Sequence, residues 1–149
     1  MDTARFTRYL APLAIALFGT MAQTGHAESA ASAVPDGNKV VFQVSDNDPA
    51  KWNLTLNNVR NVQQNLGAKN VEVEVVVYGP GINMLKLESP VSDRIADEVK
   101  SGVHIVACEN TMKGMKLTKG DMLGTIGYVP GGVIELMKKE REGYAYIRP

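Results

Sequence analysis

Residues 103–116, VHIVACENTMKGMK, decide how this chain folds. Val103 to Ala107 is a β-branched, apolar run of strand length, and it delivers Cys108 to a polar stretch, Glu109-Asn110-Thr111, that contains good helix-capping types. A buried strand that runs straight into a helix start is the repeating step of an α/β chain.

The same step recurs on both sides. Upstream, Val40 to Val44 (VVFQV) reads as a strand covered on both faces. Asp48-Pro49 then supplies an N-cap and a proline at the first helical position, where a missing N–H costs nothing. Trp52, Leu56, Val59, Val62 and Leu66 fall on one stripe of the helix that follows, and Gly67 stops it. Val71 to Tyr78 (VEVEVVVY) is a strand half exposed where Glu72 and Glu74 alternate with valine, and buried at its far end. The chain breaks at Gly79-Pro80-Gly81, Ile82 to Leu87 makes a helical turn, and a helix over Ser92 to Ser101 buries Ile95 and Val99 while Asp93, Asp97 and Glu98 face water.

Downstream, Gly114, Gly120, Gly124 and Gly127 interrupt any regular pattern until a short strand near Thr125 to Val129. Pro130-Gly131-Gly132 leads into a helix marked by Val133, Ile134, Leu136 and Met137, whose last turn carries Lys138, Lys139 and Arg141 to suit the negative helix end. Gly143 ends it and Tyr144 to Arg148 is a final strand. Strands alternating with helices predict right-handed crossovers and a parallel sheet with helices on both faces. Ligands and reactive groups collect at the carboxyl ends of such strands, where Cys108 lies.

The first 27 residues read as an address. Arg5 and Arg8 precede an apolar run, Leu10 to Met21, and Gly25-His26-Ala27 offers small residues for cleavage after Ala27, with Ala22 as the alternative. The run falls short of the about 20 apolar residues that a spanning helix needs. An exported, periplasmic protein with no membrane attachment after cleavage is therefore expected, and residues 28–37 read as a flexible leader into a domain over residues 38–149. Cleavage removes Arg5, Arg8 and Asp2, so 16 basic and 16 acidic residues become 14 and 15 on a 122-residue chain. A near-neutral surface excludes nucleic acid as a partner, since phosphate binding needs a basic one.

Cys108 is the only cysteine. As a single thiol in an exported chain it is buried and inert, paired with another chain, or reactive. Amide hydrogens near Asn110 and Thr111, with Lys113 and Lys116 within reach, would favour the thiolate, and Glu109 would oppose it. His104 shares the strand face with Cys108 but sits about 13 Å away, too far for a Cys-His pair. One histidine and one cysteine in the processed chain make a zinc site within one subunit improbable. Gly79-Pro80-Gly81 lacks the third glycine of a dinucleotide fingerprint, Met84 standing in its place, so it reads as a tight turn and no cofactor is expected.

The order of VVFQVSDNDPAKWNLTLNNVRNVQ, VEVEVVVYGPGI, SGVHIVACENTM and YVPGGVIELMKKEREGYAYIRP resembles the DsrE/DsrF-like sulfur-relay family, in a small exported branch, over nearly all of Lys39 to Pro149. The resemblance implies a DsrEFH-like three-layer sandwich with a five-stranded parallel sheet, assembled as homotrimers or homohexamers. It also implies a cysteine, here Cys108, that carries sulfur as a persulfide between donor and acceptor proteins; the residues after it read as its supporting loop, Asn110 and Thr111 orienting it and donating hydrogen bonds and Lys113 or Lys116 favouring the anion. The characterised relays are cytoplasmic, whereas this chain reads as exported. The alternative is a non-catalytic oligomeric module that binds a small ligand or protein, with Cys108 a buried structural residue.

Overall fold

The structure is a computed structural model and describes residues 37–149. The expected signal segment and all of the leader except Gly37 lie outside the described residues.

Five strands are joined by helical segments in the order β1 (Asn38–Val44), α1 (Pro49–Leu66), β2 (Val71–Val77), a 3-10 turn (Gly79–Leu85), α2 (Ser92–Lys100), β3 (His104–Cys108), α3 (Glu109–Gly114), a second 3-10 turn (Lys119–Asp121), β4 (Gly127–Val129), α4 (Gly132–Arg141) and β5 (Ala145–Ile147). The strands form one sheet, β4-β3-β2-β1-β5, with every pairing parallel. From β1 to β4 the chain steps steadily across the sheet, so right-handed crossovers put α1, α2 and α3 on one face. The return from β4 to β5 reverses direction and carries α4 over the other face.

The two faces are unequally covered. One buries Val40, Phe42, Val73, Val75, Ile105 and Ala107 against Trp52, Leu56 and Val59 of α1, Ile95 of α2 and Met84 of the first turn. Each large side chain fully buried there contributes about 1.5–3 kcal/mol. The other face has a small core, Val41 and Val76 beneath Leu136 of α4.

Local chemistry sets the element ends. The Asp48 carboxylate accepts the Ala50 N–H at 2.8 Å to start α1, and Gly67, at φ +85°, ends it by donating its N–H to the Gln63 carbonyl at 2.9 Å. The Trp52 indole N–H is satisfied by the Asp46 carbonyl at 2.8 Å, which lets the ring be buried. At the turn after β2, the Gly81 N–H donates to the Ser45 carbonyl at 3.1 Å, and a Cβ on residue 81 would lie 2.8 Å from the Val44 carbonyl oxygen. That contact with the end of β1 accounts for the glycine.

Two carboxylates depart from the sequence reading. Glu98, expected to face water, is 3% exposed and meets the Arg60 guanidinium at 3.1 Å. Packing of α2 on α1 covers that side of the helix, and a partner 38 positions away supplies the charge that makes the burial tolerable. Glu74, expected in the half-exposed part of β2, is 7% exposed because α4 passes over it and brings Lys139 to 2.9 Å. Among the described residues no helix is long and apolar enough to cross a membrane.

Candidate functional site

Cys108 closes β3 and is at the same time the N-cap of α3. Strand alternation points its side chain to the α4 face, in register with Val129 of β4. Because the helix begins at Glu109, the backbone N–H groups of its first turn have no partner within α3. The Thr111 N–H donates to the Cys108 Sγ at 3.4 Å, in the geometry of a capping side chain.

A second helix start converges on the same sulfur. The chain leaves β4 through Pro130-Gly131, and the Gly132 N–H, first in α4, donates to Sγ at 3.2 Å. The Asn110 N–H donates to the Pro130 carbonyl at 3.2 Å and so ties the two helix starts together. Residue 132 must be glycine: a Cβ there would lie 2.8 Å from Tyr78 Cδ1 and 2.9 Å from Tyr78 Cβ. Tyr78 thus sets how closely α4 approaches the sheet, and with it the reach of the Gly132 amide.

The balance of forces on the thiol follows. Burial, with Cys108 5% exposed, pushes its pKa up. The Thr111 hydroxyl and the N–H groups of Thr111, Gly132 and Asn110 outweigh that and hold it below the ordinary thiol value. The Thr111 hydroxyl is itself oriented, its oxygen accepting the Gly79 N–H at 2.9 Å from the turn after β2. The carboxylate of Glu109 is drawn to Lys119 at 3.7 Å.

Of the residues singled out from sequence, the structure brings Thr111 onto the sulfur, sets the Asn110 N–H beside it with its hydrogen bond on the Pro130 carbonyl, and leaves Lys113 away from it. Thr111 faces the thiol, and two residues further along an α-helix the side chain has turned by about 200°. Lys113 is accordingly solvent-exposed on the far side of α3, and Lys116 lies past the helix end at φ +56°. The stabilising groups are neutral donors at helix starts rather than ammonium groups. The Gly132 amide is not visible from the residues around Cys108. Its only trace in the sequence is the Gly131-Gly132 pair directly before a helix, 24 positions from Cys108.

His104 sits at the other end of β3, exposed, in register with Glu74. That edge holds a cavity of about 300 Å³ lined by Glu72, Glu74, His104, Lys139 and Tyr144 among others. Burial and the hydrogen bond that Tyr144 donates to Glu72 at 2.6 Å push the phenol pKa up to about 12. Burial works against the Lys139 ammonium, but Glu74 prevails and raises its pKa.

A thiol at the carboxyl end of a parallel strand, with this order of strands around it, is the arrangement against which known proteins can be compared. The profile of the DsrE/DsrF-like family matches residues 38–149. The chain belongs to the DsrE/DsrF-like family. No curated protein matches it. Among solved structures, the protein of unknown function MTH1491 from Methanobacterium thermoautotrophicum is similar at 34% identity and a TM-score of 0.72, over 75% of this chain and 99% of that one. BT1422 from Bacteroides thetaiotaomicron, also of unknown function, superposes at 16% identity and a TM-score of 0.61 over 75% and 95% of the two chains. The ychN protein from E. coli does so at 9% identity and 0.62, over 76% and 99%. These two likenesses concern the fold: an α/β sandwich on a five-stranded parallel sheet, here in a DsrE/DsrF-like protein.

Proposed function

We propose that this DsrE/DsrF-like protein is a periplasmic sulfur handler that carries sulfur as a persulfide on Cys108. Family membership supports a sulfur-relay-related role, and the single observation that carries the residue assignment is the convergence of two helix starts on one sulfur, Thr111 N–H at 3.4 Å and Gly132 N–H at 3.2 Å. Donors aimed at a sulfur stabilise its anion, and the thiolate is the form that attacks sulfane sulfur. Thr111 and Asn110 orient and donate in this reading, and no cofactor enters it. The protein is exported through a cleaved signal peptide and works as a homotrimer or homohexamer.

The 5% exposure of Cys108 favours a second reading, an oligomeric binding module in which the thiol only packs. One experiment separates the two. The native chain is exposed to polysulfide, and its intact mass is measured before and after a reducing thiol, with Cys108→Ser as control. The carrier reading expects one added sulfur, removable by the thiol and absent from the variant. It expects also that iodoacetamide alkylation of Cys108 is already fast at neutral pH. A thiol that takes up no sulfur and alkylates slowly at every pH would leave the binding module standing.

A further inference from the structure

We propose that the cavity at the amino edge of the sheet, where α4 passes over β2 and β3, is a binding site for a small organic ammonium ion, a primary amine whose N–H groups donate to the Glu74 carboxylate. The site is separate from the thiol: His104, on its wall, stands at the opposite end of β3 from Cys108, about 13 Å away.

The deciding atom is Glu74 Oε1. Glu74 lines the cavity and is 7% exposed; its Oε2 meets the Lys139 ammonium at 2.9 Å, while its Oε1 is buried and accepts a hydrogen bond from no described residue. His104, in register beside Glu74 on β3, is exposed and does not donate to it either. Among the described residues Oε1 is the one buried side-chain oxygen or nitrogen in this condition. A buried acceptor left unanswered is costly, and the large majority in folded proteins have a partner.

The charges around that atom point to a cation. Lys139 is shared, standing 3.7 Å from Glu142 and 3.9 Å from Glu135 as well as on Glu74. Lys138 joins it at 3.4 Å from Glu135 and 3.9 Å from Glu142, so two ammonium groups serve three carboxylates. Glu72 is answered separately, by the Tyr144 hydroxyl at 2.6 Å and by Lys39 at 3.8 Å. One further positive charge is what the cluster lacks, and the free oxygen marks where it is held. The walls select the kind of cation. A hard metal ion takes six or more oxygens, and among the described residues no group of His, Cys, Asp and Glu side chains is placed to hold one. An ammonium group brings N–H donors to the single free oxygen and leaves its carbon chain to the rest of the cavity, where Val71 and Tyr144 offer apolar surface. The cavity, about 300 Å³, is far larger than one water needs and lies at the small end of ligand sites, which suits an amine of a few carbon atoms.

The test titrates the full chain, labelled with nitrogen-15, with n-butylammonium and separately with tetramethylammonium, which carries the same charge and no N–H, while backbone amide shifts are followed. n-Butylammonium should bind saturably, with its largest shifts at Glu74, His104 and Tyr144, and about ten-fold or more tightly than tetramethylammonium, the discrimination that a hydrogen bond to a charged group supplies. Glu74→Gln keeps the shape of the side chain but puts an NH2 donor where the free oxygen stands, and should abolish the saturable shifts while the spectrum stays that of a folded chain. Where that variant unfolds, the comparison of the two cations on the wild type decides alone. Equal binding of the two cations, saturable shifts confined to other parts of the chain, no saturable binding of n-butylammonium, or undiminished binding to folded Glu74→Gln would each overturn the proposal.

Discussion

At its first residue α4 touches the sheet through an uncharged group, the Gly132 N–H on the Cys108 sulfur at 3.2 Å; two turns later it touches it through a charge, Lys139 on Glu74 at 2.9 Å. Both contacts lie on the thinly covered face, where Val41, Val76 and Leu136 form a small core. At the amino edge of the sheet the partners form an ion pair, and Lys139 also stands 4.8 Å over the Tyr144 ring. At the carboxyl edge one partner is a thiol, a weak acceptor that gains most from the contact when it ionises. The difference separates two jobs within a helix of ten residues: one end fixes its position, and the other presents an N–H to a group that can change charge.

The largest effect should come from breaking the fixed end. Lys139→Met leaves the buried Glu74 carboxylate without its counter-charge and should cost about 3–5 kcal/mol in urea unfolding. Adding Glu74→Leu should recover most of the loss, because replacing both members of a buried pair by apolar groups is often neutral or stabilising. Under native conditions neither change should alter the pH profile of Cys108 alkylation. A shifted profile would show that the two ends of α4 act as one unit and break the comparison.

A smaller effect is expected at the other end. Gly132→Ala places a Cβ within 2.9 Å of Tyr78, so the start of α4 must move outward, at the about 1–3 kcal/mol typical of overpacking. Unlike the charge variant, it should lengthen the 3.2 Å contact and move the alkylation profile of Cys108 to higher pH. Lost stability with an unmoved profile would mean that the Gly132 amide has little hold on the thiol.

These two ends also mark what the sequence could and could not disclose. The strands were legible because valine runs such as Val75 to Val77 need cover on both faces, and α1 because Asp48, Pro49 and Gly67 act through their own backbone neighbours. Cys108 and the amides of Asn110 and Thr111 were legible for the same reason, lying within four consecutive residues. The rest depended on crossings. Gly132 reaches Cys108 only because β4 lies beside β3 with Val129 opposite Cys108, and Glu98 finds Arg60 only because α2 packs on α1. Lys113 shows the opposite case. Closeness in the chain suggested reach, and the helical turn after Thr111 carried it to the far side.

The smallest effect is the one that tests whether the carboxyl end of the sheet responds to charge at all. Burial pushes the folded thiol up, and the donors outweigh it and hold the pKa below its ordinary value. Below the folded pKa both folded and unfolded chains keep the proton, and the group adds nothing to stability. Between the two values the unfolded chain holds a proton that the folded chain has lost, so stability rises with pH; above the unfolded value the gain is complete. It is lost again as pH falls through the folded pKa. Urea unfolding of the wild type and of Cys108→Ala, measured from pH 6 to about 9.5, should therefore show their difference moving in favour of the wild type as pH rises. Tyr144 and Lys139 are common to both proteins and cancel in that difference. A flat difference would show that the two N–H groups cap the sulfur without preferring its anion, and a slope of the opposite sign would show that burial wins; either result would remove the contrast between the ends of α4.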